Sequence, residues 1–534
     1  MLQPLEVLKL YPAHDNSLCG IYDSRAAVPD ARPFIVFQGR TWSRAEFRDA
    51  YLATARVLVA RGIKKGDRVG VMARNHIGHV LMLFACARIG AIMVPTNPEF
   101  GVDEASYVLK HAGVSAVACS DDALPVVREA CHEISPAPFF MLFEGSAAGA
   151  PNLFDLIAKA QDVALPAAAG ADDTCIFIYT SGSTGFPKGA MHSQSNFVVS
   201  GESNIARLWL QPDERVLIVL PMFHVNALFY SLAGGLAAGC TLILAEKFSA
   251  STFWDMAVET GATQVNFIDA VGRILKARPR SEYRPQHKIR IVYGVRPEAQ
   301  ACFTDEFGIK DQITGFGMTE VPGLMCNPYE GPRKMTSIGA VGRHPDPARP
   351  WAQLRIVDDN GNDLGPDETG ELWVKHPIVM QGYFRDPEQT QAAFHDGWFK
   401  TGDLMTRDAD GYFYFVTRKK DIIRRRGENI AGLEIDRTIG AHPDVVEVAA
   451  VPVPAELGDE EILVAVVKKP GSALDARGVA QWCAERLAAM KVPRYVLFMD
   501  ALPHTPTHKI AKHALKADKT LQGRATDLSI KTNT

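Results

Sequence analysis

Tyr179-Thr180-Ser181-Gly182-Ser183-Thr184-Gly185-Phe186-Pro187-Lys188-Gly189 follows directly on the apolar run Cys175-Ile176-Phe177-Ile178. The apolar run reads as a buried strand. The loop behind it gathers glycines and hydroxyl side chains and closes on Lys188. Glycine lets a backbone approach a phosphate closely, and N–H groups, hydroxyls and an ammonium together offer a polyanion many donors. A Walker loop ends in Gly-Lys-Ser/Thr, and Pro187-Lys188-Gly189 breaks that pattern. The stretch therefore predicts a phosphate loop of another kind, and a Ser/Gly linker is a poor reading of an ordered motif set on a strand.

Around that loop the chain alternates. Val69–Met72 reads as a strand, His79–Arg88 as a helix and Ala91–Val94 as a strand. Val216–Leu220, Thr241–Leu244 and Ile289–Tyr293 form a second series, and the alternation predicts parallel sheets covered by helices. Leu165–Asp173 reads as a surface connection. From Trp351 onward short strands alternate with turn signals such as Asp358-Asp359-Asn360-Gly361 and Asp408-Ala409-Asp410-Gly411, predicting a small barrel or meander. A compact α+β segment follows Arg418–Asp421, and the last dozen residues read as a loose tail.

With 534 residues the chain is too long for one ordinary core. A hydrophobic content of 47% with 22% charged residues fits a globular enzyme, and a net charge of −4 gives no electrostatic case for nucleic acid or an anionic membrane. The most apolar stretch, His79–Pro95, is interrupted by Arg88, so no stable membrane insertion is expected. Nine scattered cysteines without a CxxC pair read as reduced core residues. Met1–Glu6 lacks a secretory pattern and the Ile530–Thr534 end lacks a prenylation box or peroxisomal tripeptide, so the cytoplasm is the expected compartment.

The order Thr-Ser-Gly-Ser-Thr-Gly-x-Pro-Lys-Gly resembles the signature of acyl-adenylate-forming enzymes, which include acyl-CoA synthetases, peptide-synthetase adenylation domains and luciferases. Four further stretches resemble that family's boxes in the same order: Gly315-Phe316-Gly317-Met318-Thr319-Glu320, Lys400-Thr401-Gly402-Asp403, Arg418-Lys419-Lys420-Asp421 with Gly427-Glu428-Asn429, and Pro506-Thr507-His508-Lys509. The Arg-Gly-Glu-Asn variant at 426–429 is similar to ligases of the crotonobetaine/carnitine-CoA type. Phe316, Glu428, Gly432, His508 and above all Arg296 depart from the usual residues.

The resemblance implies a large amino-terminal region of two doubly wound α/β lobes plus a small β-barrel over 1–417, a hinge at 418–421, and a small mobile α+β domain over 422–534. It implies ATP, Mg²⁺ and coenzyme A as ligands and a small carboxylic acid as substrate, with no nucleic acid partner and a homodimer as one admissible assembly. Thr180, Ser181, Gly182, Ser183, Thr184, Gly185 and Lys188 would hold the phosphates. Gly294, Val295, Arg296, Thr314, Gly315, Phe316, Gly317, Met318, Thr319 and Asn429 would line the nucleotide, with Phe316 stacking on adenine. Asp403 and Arg418 would take the ribose, and Glu320 would hold Mg²⁺. Lys509, Thr319, Glu320 and His224 are the implied catalytic residues and Lys420 the hinge. Arg426 and Gly427, in the Arg424–Gly427 region, would meet coenzyme A, and His224, Asn226 and Asp269, with Asn266, would line the acyl pocket. The implied reaction is acid–CoA ligation through an acyl-adenylate. Loading of a separate carrier protein and luciferase-type oxygenation are the alternatives within the family.

Overall fold

The computed structural model describes residues 1–160, 162–180, 187–295, 297–425, 428–455, 460–504 and 510–529, without the side chains of Asp269, Glu298 and Asn429. These residues form two compact units. The first comprises Met1–Thr180, Pro187–Leu354 and Val374–Phe399, and the second Arg355–Trp373 together with the chain from Lys400. The 418–421 turn thus lies inside the second unit, not on its border.

The first unit carries two seven-stranded sheets, the two predicted lobes. One runs in the order Gly382–Tyr383, Lys188–Ser193, Thr174–Thr180, Ile92–Thr96, Arg68–Met72, Val114–Cys119, Phe139–Leu142. Thr174–Thr180 and the four strands after it are parallel; Lys188–Ser193 returns antiparallel, so the two strands that flank the phosphate-loop sequence pair with each other. The other sheet runs Asp311–Ile313, Ile291–Tyr293, Gln264–Asn266, Arg215–Ile218, Thr241–Leu244, Ile35–Phe37, all parallel, with Arg40–Trp42 antiparallel at the edge.

The apolar stretch that interrupts itself at Arg88 is a core helix, Ile77–Ile89, in which every residue but Arg88 is buried. A helix apolar on all faces has no amphipathic stripe and must be enclosed. Among the described residues no helix is long and apolar enough to cross a membrane. The nine cysteines are all free thiols, eight of them buried.

In the second unit, Asp403–Arg407 and Phe413–Arg418 pair antiparallel across the turn that Asp408 closes by accepting from the N–H groups of Asp410 and Tyr412. Farther on, Val445–Pro454, Glu460–Lys468, Tyr495–Phe498 and Thr526–Asp527 form a four-stranded sheet. Its alternation divides two cores, Val448, Ala450, Val464 and Val466 on one face and Ala449, Val451, Leu463 and Ala465 on the other. The loose-tail expectation is corrected here. Thr526–Asp527 pairs with Tyr495–Val496, and Asp527 meets the Arg494 guanidinium at 2.9 Å, so the chain is tied down through Ser529.

Candidate active site

Parallel pairing brings four separate stretches to one edge. Arg215–Ile218 leads into Pro221–Asn226, Gln264–Asn266 into Phe267–Asp269, Ile291–Tyr293 into Gly294–Pro297, and Asp311–Ile313 into Thr314–Met318. Ligands of open α/β sheets bind outside the carboxyl ends of the strands. The backbone there is tight: Gly294 has φ +89°, and a Cβ on it would stand 2.3 Å from the Phe267 carbonyl oxygen. Only glycine fits such a position without strain. Val295 is fully buried, whereas His224 and Asn226 are half-buried. Asn226 Nδ2 donates to the Phe267 carbonyl at 3.5 Å, and its Oδ1 is a buried acceptor with no partner among the described residues. Asn266, expected in the acyl pocket, is instead spent inside the core. It accepts from Gln264 Nε2 at 2.6 Å and donates to Ser231 Oγ at 2.8 Å.

The second motif is a hairpin. Gly315–Met318 pairs antiparallel with Val321–Cys326, leaving Thr319 and Glu320 at the turn. Glu320 is buried, and Oε1 accepts the Tyr383 hydroxyl at 2.7 Å while its backbone carbonyl accepts from Met380 N–H at 2.8 Å. His192 Nε2 lies 2.8 Å from the Thr319 carbonyl. Burial pushes the His192 pKa down to about 4, so at neutral pH the ring is uncharged and donates Nε2–H to that carbonyl. Lys188 stands opposite Thr180 in the strand ladder, and its Nζ lies 4.1 Å from the Tyr383 ring centroid. Tyr383 therefore touches Glu320 on one side and Lys188 on the other, joining the phosphate-loop stem to the second motif. Thr314 is buried and accepts from Asn327 Nδ2, which anchors the hairpin's base.

This donor set fits Mg²⁺ bound with a nucleotide. Magnesium takes one or two carboxylates and fills its octahedron with phosphate and water oxygens. Glu320 supplies one such carboxylate, and among the described residues no group of three metal-ligating side chains forms a closed protein cage.

In the second unit Asp403 lies directly opposite Arg418, with Oδ1 3.1 Å from Nε, and Asp403 is fully buried. Its N–H donates to Thr401 Oγ1 at 3.1 Å, and Gly402 N–H donates to Glu371 at the same distance. Lys420 sits in the 3₁₀ turn Lys419–Asp421. Lys516 Nζ donates to the Lys420 carbonyl at 2.8 Å and pairs with Asp421 at 2.9 Å. One turn earlier on the same helix, Lys512 pairs with Asp436 at 2.5 Å. Burial raises the Asp436 pKa above the usual carboxylate range even against that lysine. Arg425 is turned inward, 2.7 Å from Glu461 and donating to the Met490 and Val492 carbonyls, so it is structural and not available to coenzyme A.

Ser181, Gly182, Ser183, Thr184, Gly185, Arg296, Arg426, Gly427 and Lys509 lie outside the described residues, as do the side chains of Asp269 and Asn429. Two residues that sequence reasoning missed, His192 and Tyr383, stand in the middle of the site. Neither has a local signature: Tyr383 meets Glu320 from 63 positions away and His192 meets Thr319 from 127.

Comparison with known proteins agrees with this geometry. The model of the AMP-binding enzyme family matches residues 22–384, and that of the AMP-binding enzyme C-terminal domain matches 434–509. The crotonobetaine/carnitine–CoA ligase of Salmonella paratyphi C is 31% identical over 516 residues, covering 94% of this chain and 98% of that protein; that of Proteus mirabilis is 30% identical over 515 residues, covering 93% and 98%. Among solved structures, ATP-bound MatB from Rhodopseudomonas palustris superposes with a TM-score of 0.83 at 27% identity, over 95% of this chain and 99% of that one. The o-succinylbenzoate CoA synthetase of Bacillus subtilis with its acyl-adenylate intermediate does so with a TM-score of 0.81 at 25% identity, over 93% and 97%. The chain belongs to the AMP-binding enzyme family and is an AMP-forming acid–CoA ligase that uses ATP and Mg²⁺ and works through an acyl-adenylate.

Proposed function

We propose that the acid is short and carries a second polar or cationic group, of the kind the carnitine-type relatives are named for, and that the residues named above divide the two steps between them. In the first step a carboxylate oxygen attacks the α-phosphorus of ATP and pyrophosphate leaves. In the second the coenzyme A thiolate attacks the acyl carbon and AMP leaves. A carboxylate acylates poorly because hydroxide is a bad leaving group; AMP is a good one.

The observation that carries the division of labour is the Lys188–Tyr383–Glu320 contact. It fixes a cation and a hard carboxylate oxygen within one packed cluster, beside a Thr319 carbonyl held by a neutral imidazole. Lys188 and the Thr180–Gly185 loop meet the phosphates, and Glu320 holds Mg²⁺, which when bound neutralises charge developing on them. Phe316 and Gly294–Arg296 face the adenine, and Asp403 with Arg418 takes the ribose. Lys509 neutralises the α-phosphate during the first step only. Lys420, in the 418–421 turn, is the pivot about which the 422–534 domain turns between steps, bringing Arg426 and Gly427 to coenzyme A.

For the acid, the support is chemical. Asn226 Oδ1 is a buried acceptor at the strand edge with no partner among the described residues, and a plain fatty chain would leave it unpaired at a cost of about 1–3 kcal/mol. A hydroxyl, ammonium or trimethylammonium group meets its negative pole. Acid-dependent pyrophosphate release, measured for carnitine-like acids, succinate-like acids and octanoate with and without coenzyme A, tests the reading. A clear preference for octanoate would overturn it.

A further inference from the structure

The glycines of Gly315-Phe316-Gly317 are pressed against two tyrosine hydroxyls. A Cβ on Gly317 would stand 2.2 Å from the Tyr230 oxygen, and one on Gly315 would stand 2.6 Å from that of Tyr293. Tyr230 is only 5% exposed, and its hydroxyl accepts from Gly323 N–H at 2.8 Å, which pins the ring beneath the hairpin. It stands four residues after Asn226 in the π-helical turn Asn226–Leu232. A π-turn holds just over four residues, so Tyr230 falls roughly one turn beyond Asn226 on the same side of the element. Arg207 packs against both rings. Its guanidinium carbon is 5.3 Å from the Tyr230 centroid and 5.9 Å from that of Tyr293, and it donates to Asn204 Oδ1 at 3.2 Å and to the Gly323 carbonyl. Arg207 is 4% exposed, its Nε has no hydrogen-bond partner, and no carboxylate pairs with it among the described residues.

We propose that Tyr230 is the end stop of the acyl site, limiting the enzyme to short acids, and that it covers a buried cation, Arg207, which would otherwise draw in an acid with a distal carboxylate. A ring fixed at its hydroxyl by a backbone N–H cannot swing aside as a free rotamer would. A buried guanidinium satisfied only by neutral acceptors and π faces keeps an uncompensated charge, and that charge favours an anion once the ring is gone. Gly315 and Gly317 are then glycine because the wall lies directly against their backbone, independently of any contact with nucleotide. The proposal rests on the strand edge being the acyl site, and it deepens the short-acid reading by naming the residue that enforces it.

The test is acid-dependent pyrophosphate release by wild type, Tyr230→Phe, Tyr230→Ala and Tyr230→Ala/Arg207→Met with butyrate, octanoate and octanedioate. Tyr230→Ala should raise kcat/KM for octanoate relative to butyrate by about tenfold or more, the order of discrimination a hydrophobic pocket achieves per added methylene. Octanedioate should gain about a further tenfold, and Arg207→Met should erase that second gain while leaving the first. Tyr230→Phe, which keeps the ring and loses its pin at Gly323, should shift the length profile in the same direction but by less than Tyr230→Ala. Should Tyr230→Ala not fold, Tyr230→Leu takes its place, with gains of the same sign. A Tyr230→Ala or Tyr230→Leu enzyme whose rates fall by one factor for all acids has lost only structure, and that refutes the end stop. Equal gains for octanoate and octanedioate refute the role of Arg207. If wild type releases pyrophosphate with none of a broad set of acids, the acyl-site assignment fails first, which a parallel length profile in an active enzyme does not imply.

Discussion

The first unit holds Glu320, Tyr383 and His192 with buried hydrogen bonds between distant segments, whereas in the second two ion pairs tie down the short helix Lys512–Ala517. Glu320, Tyr383 and His192 are buried, and each is fixed by a partner far away in sequence. In the second unit, Lys512 and Lys516 tie the helix Lys512–Ala517 to Asp436 and Asp421, with the Lys516–Asp421 pair about one quarter exposed. Buried, satisfied polar contacts rigidify; partly exposed ion pairs are worth little each and exchange readily. The difference separates a buried, cross-linked cluster from a helix whose outer ion pair is partly open to solvent. Lys516 also grips the Lys420 carbonyl, so the 418–421 turn is tied to that helix within the second unit.

The comparison breaks most easily at Lys509. Lys509→Ala should slow acyl-adenylate formation about 10²–10³-fold while sparing thioester formation from pre-made acyl-adenylate, because the proposed role of this lysine is to neutralise the α-phosphate as pyrophosphate departs, before the domain turns. Equal losses in both half-reactions would end the assignment. Glu320→Gln should cost the first step about a hundredfold and raise the Mg²⁺ concentration required, the order seen when metal support is altered. An unchanged Mg²⁺ requirement would remove the metal from Glu320. Lys420→Pro should show the opposite split, adenylation kept and thioester formation reduced about a hundredfold, since a locked φ misplaces the second-step geometry. If both rates fall together, Lys420 is not the pivot. The smallest effect belongs to Tyr383→Phe, about tenfold in Mg²⁺ affinity with the fold intact, because the phenol only orients the carboxylate that binds. No change in Mg²⁺ dependence would make the Tyr383 contact purely structural.

What the sequence made legible was local. The apolar run before the phosphate loop is a fully buried strand, and Asp358 and Asp408 close turns where their Asx signals stood. The opposition of Asp403 and Arg418 follows from two strands and a turn of readable length. The unreadable part depends on the third dimension. The burial of Glu320 could not be read because nothing nearby announces Tyr383. Asn266 looked like a pocket group because Ser231, 35 positions away, is not visible as its partner. The tail looked loose because one Arg494–Asp527 pair, not composition, fastens it.

The most direct test of the account is acid-dependent exchange of labelled pyrophosphate into ATP, run on wild type and Glu320→Gln without coenzyme A. Exchange isolates the first step, which the account places on the Lys188–Tyr383–Glu320 cluster. The predicted result is rapid exchange with a short polar acid in wild type, depressed about a hundredfold in Glu320→Gln and restored in part by excess Mg²⁺. Exchange that proceeds in wild type without any acid, or at full rate in Glu320→Gln, would contradict it.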